Sequence, residues 1–153
     1  MPTLVLVRHA EAEPPGPEDR SRRLLPSGHA DAVALGDWFR VSGLAPDQVL
    51  VSTAVRARET WQAAAVGGRV EARDDLYDAG AEQLRDVVRE TGPDVGTLVV
   101  VGHNPGLSRL AWELDDSPAA RSRTERGLPP GGAVVVELDT WDAAFGTLVA
   151  ARP

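Results

Sequence analysis

Two apolar runs constrain this chain more than anything else in it: Thr3-Leu4-Val5-Leu6-Val7 and Thr97-Leu98-Val99-Val100-Val101. Neither alternates with polar residues, so both faces of each must be covered, as in the interior strands of a parallel sheet flanked by helices. Both runs end in residues that can do chemistry. The first delivers Arg8-His9-Ala10 and the second Gly102-His103-Asn104-Pro105-Gly106, and open α/β sheets bind ligands at the carboxyl ends of their strands.

The rest of the chain alternates in the same way. Glu11 to Arg23 is polar and Pro-rich and reads as a surface loop. Ser27 is placed to N-cap a helix to about Val41, with Ala30, Val33, Ala34, Trp38 and Val41 on its inner face and Gly43 ending it. Gln48 to Val51 predicts a strand, and Ser52-Thr53 would cap a helix that buries Ala54, Ala57, Trp61 and Ala64, leaving Arg56 in exposed first turns. Arg58 falls roughly 200° around that helix from Arg56 and is expected in solvent. A weak strand near Val70 to Ala72, an amphipathic helix over Glu82 to Glu90 and a helix using Leu107, Leu110, Ala111 and Leu114 follow. Ala133 to Leu138 and Gly146 to Ala151 read as a hairpin-like pair around Trp141. Strands alternating with helices predict an α/β three-layer sandwich with a mostly parallel central sheet, as one domain over residues 1–153.

Composition narrows the chemistry. With no cysteine, disulfides, thiolate metal sites and cysteine nucleophiles are all excluded. A formal net charge of -7 disfavours nucleic acid and acidic membrane surfaces as partners, so clustered arginines point instead to a local anion site. No stretch approaches the ~20 apolar residues of a membrane span, and nothing ahead of Arg8 has the pattern of a signal peptide, which predicts a cytoplasmic protein. The histidines have no His-x-x-x-His or His-x-His spacing, and nearby arginines would repel a cation, so no metal and no cofactor is expected.

If the three polar strand exits are neighbours, Arg8, His9, Arg56 and His103 surround one point, with Ser52 and Asn104 beside them as further phosphate ligands. Arginine forks match phosphate oxygens, and a neutral imidazole between them can attack phosphorus. Helix N-termini after the strands favour the same anion. A structural role suits a lone histidine better, and His29, in a helix's first turn, is read that way. No Gly-Lys-Ser/Thr phosphate loop is present, and Glu137-Leu138-Asp139-Thr140 reads as a strand end and turn.

These motifs resemble the histidine phosphatase superfamily, which is phosphoglycerate mutase-like in fold, and specifically its small phosphohistidine phosphatase branch, the SixA type. Leu-Val-Arg8-His9-Ala10 is similar to the Arg-His-Gly/Ala signature, which implies that His9 is the nucleophile and Arg8 a phosphate ligand. Ser52 to Thr60 resembles Ser-x-x-x-Arg-Ala-x-x-Thr, implying that Arg56 is the second phosphate arginine, and Gly102-His103-Asn104 resembles the second-histidine motif. Arg22 to Gly28 is similar to an Arg-Pro-Leu-Thr-x-x-Gly loop, with Leu25 where the threonine falls, and Leu128 to Leu138 to a Pro-x-Gly turn entering a strand. The resemblance implies a metal-independent phosphatase that hydrolyses phosphohistidine on a protein through a phospho-His9 intermediate. A general small-molecule phosphomonoesterase is the alternative within the chemistry, and a catalytically weak phosphoprotein-binding module the alternative outside it. Relatives also use an acid to protonate the leaving oxygen; Asp78 and Glu82 are the positional candidates here.

Overall fold

The computed structural model describes residues 1–153. Six strands, β1 (Thr3–Arg8), β2 (Gln48–Ser52), β3 (Arg69–Arg73), β4 (Thr97–Gly102), β5 (Ala133–Glu137) and β6 (Thr147–Arg152), form one sheet in the order β3-β2-β4-β1-β5-β6. The pairs β1/β4, β2/β3 and β2/β4 are parallel, and β1/β5 and β5/β6 are antiparallel. The sheet is therefore mostly parallel. The five helices are α1 (Pro26–Val41), α2 (Val55–Ala64), α3 (Ala81–Arg89), α4 (Gly106–Leu114) and α5 (Pro118–Thr124).

Side chains alternate across a strand, and β1 uses that alternation to feed two cores. Leu4 and Leu6 pack with Leu98, Val100, Leu84 of α3 and Leu107 and Leu110 of α4, while Val5 and Val7 pack with Val99, Val101, Phe39 of α1 and Trp61 of α2. Two helical layers thus cover the two faces of the sheet. Residues 4 to 7 are fully buried, which is why the run carries no polar residue. Between Tyr77 and β4 the chain holds only α3, so that segment contributes no large insertion over the carboxyl edge. Trp141, between β5 and β6, is buried and donates its indole N–H to the Val95 carbonyl at 3.1 Å. No helix is long and apolar enough to cross a membrane.

Helix α1 buries a different face from the one hydrophobicity predicts. Its inner residues are Gly28, Ala32, Leu35, Gly36 and Phe39, while Ala30, Val33, Ala34 and Val41 face outward and Trp38 is half-buried. The reason is close backbone approach: a Cβ on Gly36 would stand 1.9 Å from the Ala64 carbonyl oxygen, and one on Gly28 would stand 2.0 Å from that of Glu11. Counting apolar side chains misses a face whose packing atoms are missing side chains. Gly36→Ala is accordingly expected to destabilise the fold by about 2 kcal/mol or more despite alanine's better helix propensity, because the clash is with backbone and cannot rotate away. Thermal unfolding against Gly16→Ala checks this, since nothing lies within 4 Å of a Cβ at Gly16.

The caps also differ from expectation. Leu25, not Ser27, is the N-cap of α1 and makes no side-chain cap bond; Pro26 occupies the first turn, where a missing N–H costs nothing. The threonine position of the Arg-Pro-Leu-Thr-x-x-Gly loop that this segment resembles is thus a helix cap, here filled by Leu25. Helix α2 starts after Ala54 rather than from a Ser52 or Thr53 cap. Helix α5 was not anticipated, although Ser117, whose side chain accepts from the Ala120 N–H, and Pro118 are a readable cap and first residue.

Candidate active site

The strand order β2-β4-β1 sets three carboxyl ends side by side. Arg8 pairs in register with Gly102, and the His9 amide donates to the Gly102 carbonyl at 3.1 Å. His9 and His103 therefore leave neighbouring strands at one level, with ring centroids 5.3 Å apart. Strand β2 ends at Ser52, whose Oγ lies 2.8 Å from His103 Nε2. Arg56 reaches back from the first turn of α2, its Nη2 3.3 Å from His103 Nδ1.

Arg56 is only 3 % exposed, against the solvent position expected for a polar residue in a first helical turn. That turn abuts the strand ends, so the guanidinium points under the loop rather than outward. Its Nη1 donates to the Asp19 carbonyl at 2.9 Å and its Nη2 to Asp19 Oδ2 at 3.2 Å. Arg58 is exposed, as helical spacing predicts.

Hydrogen bonds fix the proton on each histidine ring. His9 Nδ1 lies 2.8 Å from the Ala10 carbonyl, which can only accept, so Nδ1 carries the proton and Nε2 keeps its lone pair. A guanidinium can only donate, so His103 Nδ1 accepts from Arg56 and its Nε2–H donates to Ser52 Oγ. Both rings are held neutral. Burial lowers each from an ordinary value of 6.5 to about 4, with further lowering of His9 by His103, Arg56 and Arg8 and of His103 by Arg56.

A pH dependence follows from those two rings. Between about pH 6.5 and pH 4 the unfolded chain binds protons that the folded chain refuses, so stability falls as pH drops through that window. We expect urea unfolding to register a loss of about 3 kcal/mol or more from pH 7 to pH 4 for the pair. Imidazole NMR titration should place both protonation events near pH 4.

The remaining sequence candidates are placed differently. The Asn104 amide donates to the Leu128 carbonyl at 2.8 Å and its Oδ1 accepts from Ser108, so it tethers the segment ahead of β5. Ser52 is fully buried and supports His103 and the Ala54 N–H. Asp78 and Glu82 are exposed, and neither makes a hydrogen bond or ion pair with Arg8, His9, Arg56 or His103. Glu82 lines a separate surface cavity with Asp86, Arg109 and Glu113.

Residues outside the sequence candidates complete the site. Asp19, in the short 3₁₀ turn Asp19–Ser21, brings its carboxylate to Arg56, to Arg22 Nη1 at 3.1 Å and to the Tyr77 hydroxyl. Tyr77 stands edge-on to His103 with 5.5 Å between ring centroids, and the Arg20 guanidinium stacks 4.2 Å from its ring centre. Thr60 joins two exits, accepting from the Ala10 N–H at 2.9 Å and donating to the Arg56 carbonyl at 2.7 Å. The Leu128 carbonyl accepts from Arg8 Nη1 at 3.0 Å, and the Gly131 N–H from the same turn donates to the carbonyls of Arg8 and His9. Nothing in the loop sequence marks Asp19 apart from its neighbouring acids. Thr60, by contrast, lies within the motif that carries Arg56.

The Nε–H groups of Arg8 and Arg56 are buried and have no acceptor in the protein. Unpaired buried donors cost free energy, and both guanidiniums keep unused donor capacity that an anion could draw on. No group of three or more His, Asp or Glu side chains converges in a way that could hold a metal ion. The arrangement is a neutral imidazole lone pair beside two guanidiniums.

Comparison with known proteins fits that geometry. The signature of the histidine phosphatase superfamily (branch 1) matches residues 4–91. The chain belongs to the histidine phosphatase superfamily. A Mycobacterium tuberculosis protein, Rv1276c, is 34% identical over 137 residues, covering 86% of this chain and 87% of its own. Among solved structures, a protein assigned as phosphohistidine phosphatase SixA from Nakamurella multipartitia superposes with a TM-score of 0.90 at 32% identity, over 99% of this chain and 95% of that one. One given the same assignment from Agrobacterium tumefaciens does so with a TM-score of 0.87 at 26% identity, over 99% and 98%. The superfamily's phosphoglycerate mutase-like architecture, with its SixA-type form, is thus the fold of this chain.

Proposed function

We propose that this histidine phosphatase hydrolyses phosphohistidine on a protein through a covalent phospho-His9 intermediate. The observation that carries the proposal is the His9 ring itself: neutral, with Nδ1–H anchored on the Ala10 carbonyl and Nε2 unprotonated beside Arg8 and Arg56. A lone pair so held attacks phosphorus, the substrate's P–N bond breaks, and its electron pair stays on the departing nitrogen. The guanidiniums neutralise the phosphoryl oxygens throughout. Water then attacks the phosphoryl group, the P–N bond to His9 breaks with its electron pair returning to Nε2, and the phosphate leaves as dihydrogen phosphate, keeping both of the water's protons.

In this scheme His103 assists from the opposite side. As the phosphoryl group draws Arg56 toward itself, Nδ1 of His103 loses its donor, and the ring can take a proton and add a cationic contact. Ser52 and Thr60 hold His103 and Arg56 in place, while Asn104 fixes the turn that receives Arg8. Only α3 lies between Tyr77 and β4, so that segment places no large lid over the carboxyl edge, which suits a side chain presented by another protein.

Phosphate release from a histidine-phosphorylated protein, measured beside a panel of small phosphoesters with chelator present, tests the reading. A kcat/KM at least tenfold higher for phosphohistidine is expected. Preference for the esters makes the enzyme a general phosphomonoesterase, and binding without turnover of any substrate makes it a phosphoprotein-binding module; either result overturns the proposal.

A further inference from the structure

The clamp contains a negative charge. Asp19 Oδ2 accepts from Arg56 Nη2 and from the Tyr77 hydroxyl, and Oδ1 accepts from Arg22. The Asp19 side chain is 38% exposed where that of Arg56 is 4%, so the carboxylate forms the outer end of the ion pair. Tyr77, Arg22 and Arg56 together hold it ionised, lowering it to about 2. Held in this way by Arg56, Arg22 and Tyr77, the carboxylate is an acceptor in the free enzyme.

A fixed negative charge held on Arg56 weakens the site for a plain phosphate dianion. It does the reverse for a phosphoryl group whose carrier is cationic. Phosphohistidine has such a carrier, because the ring nitrogen that does not bear phosphorus can be protonated. Asp19 Oδ1 accepts from Arg22 alone and has a lone pair left for one more N–H.

We infer that Asp19 determines specificity, its carboxylate accepting the ring N–H of a protonated phosphohistidine and so selecting phosphoryl groups carried on a cationic nitrogen heterocycle over alkyl phosphates. This rests on the phosphohistidine reading above. The chemistry balances without a proton donor: when the P–N bond breaks, its electron pair goes to that nitrogen, the proton stays on the other, and imidazole leaves neutral. An alkyl phosphate, whose oxygen leaves as an alkoxide unless protonated, gains nothing from an ionised Asp19.

The test compares wild type with Asp19→Asn, which keeps shape and removes charge, using N-phosphoimidazole and a histidine-phosphorylated peptide against an alkyl phosphate. The expected result is a roughly 10- to 100-fold loss of kcat/KM for the two phosphoimidazoles, with a loss at least tenfold smaller for the alkyl phosphate. Inhibition by inorganic phosphate should tighten in the same variant. A larger loss on the alkyl phosphate would show Asp19 to be a proton donor, and an equal loss on all three would show that it only positions Arg56. Both outcomes overturn the assignment while leaving the phosphohistidine reading intact. A wild-type preference for the alkyl phosphate would instead overturn that reading, and the assignment with it.

Discussion

Alanine at position 9 is expected to lower kcat/KM by a factor on the order of 10⁴ or more and to abolish trapping of a phosphorylated enzyme. The size follows from what the ring supplies. His9 Nε2 is the free imidazole nitrogen in the field of Arg8 and Arg56, since His103 has both nitrogens engaged, one by Arg56 and one by Ser52. No neighbouring side chain replaces it as a nucleophile. The fold should survive, because the His9 side chain makes one hydrogen bond, to the carbonyl of its own neighbour. Single-turnover assays with a neutral-pH quench check both parts, and a His9→Ala enzyme that retains turnover would remove the proposed intermediate.

Arg56→Ala is expected to cost roughly 10²- to 10³-fold in kcat/KM, comparable to losing a main donor to developing negative charge. The side chain is a hub for Asp19, His103 and, in the proposal, the phosphoryl group. Its removal leaves the Asp19 carboxylate without its inner partner and His103 Nδ1 without a donor. Lysine at this position should not restore activity, because the contacts at 2.9, 3.2 and 3.3 Å are shared between two nitrogens of one plane, which a single ammonium cannot reproduce. Arg58→Ala, two residues along the same helix at an exposed position, should behave as wild type in the same steady-state assay.

Much of the fold was legible because β1, β4 and β5 are runs without polar interruption, and a run of that kind has few places to go. Positions of chemistry at strand ends were legible for the same reason. The inner face of α1 was not, because Gly28 and Gly36 pack through their backbones and leave no hydrophobic signal. The burial of Arg56 was hidden by the rule that arginine in a first helical turn is solvated, which a covering loop reverses. That loop was itself opaque. Ala12 bridges Leu24 and Asp19 docks on Arg56, so a segment that reads as surface from its prolines and charges is folded down onto the site. Asp78 and Glu82 were found by position along the chain; Asp19 required knowing which loop lies over which strand.

Strand β1 has consequences for how the protein is made. Its two neighbours are β4, which starts at Thr97, and β5, which starts at Ala133. Strand β1 therefore leaves the ribosome well before either strand that pairs with it, and its most apolar residues wait through about 90 residues of synthesis, roughly 5–20 s at ordinary elongation rates. During that interval Leu4 to Val7 offers two open edges to other nascent chains. Yield in vivo should thus depend on what shelters the amino-terminal segment during translation, while the finished enzyme, with that strand at the centre of its sheet, presents none of it.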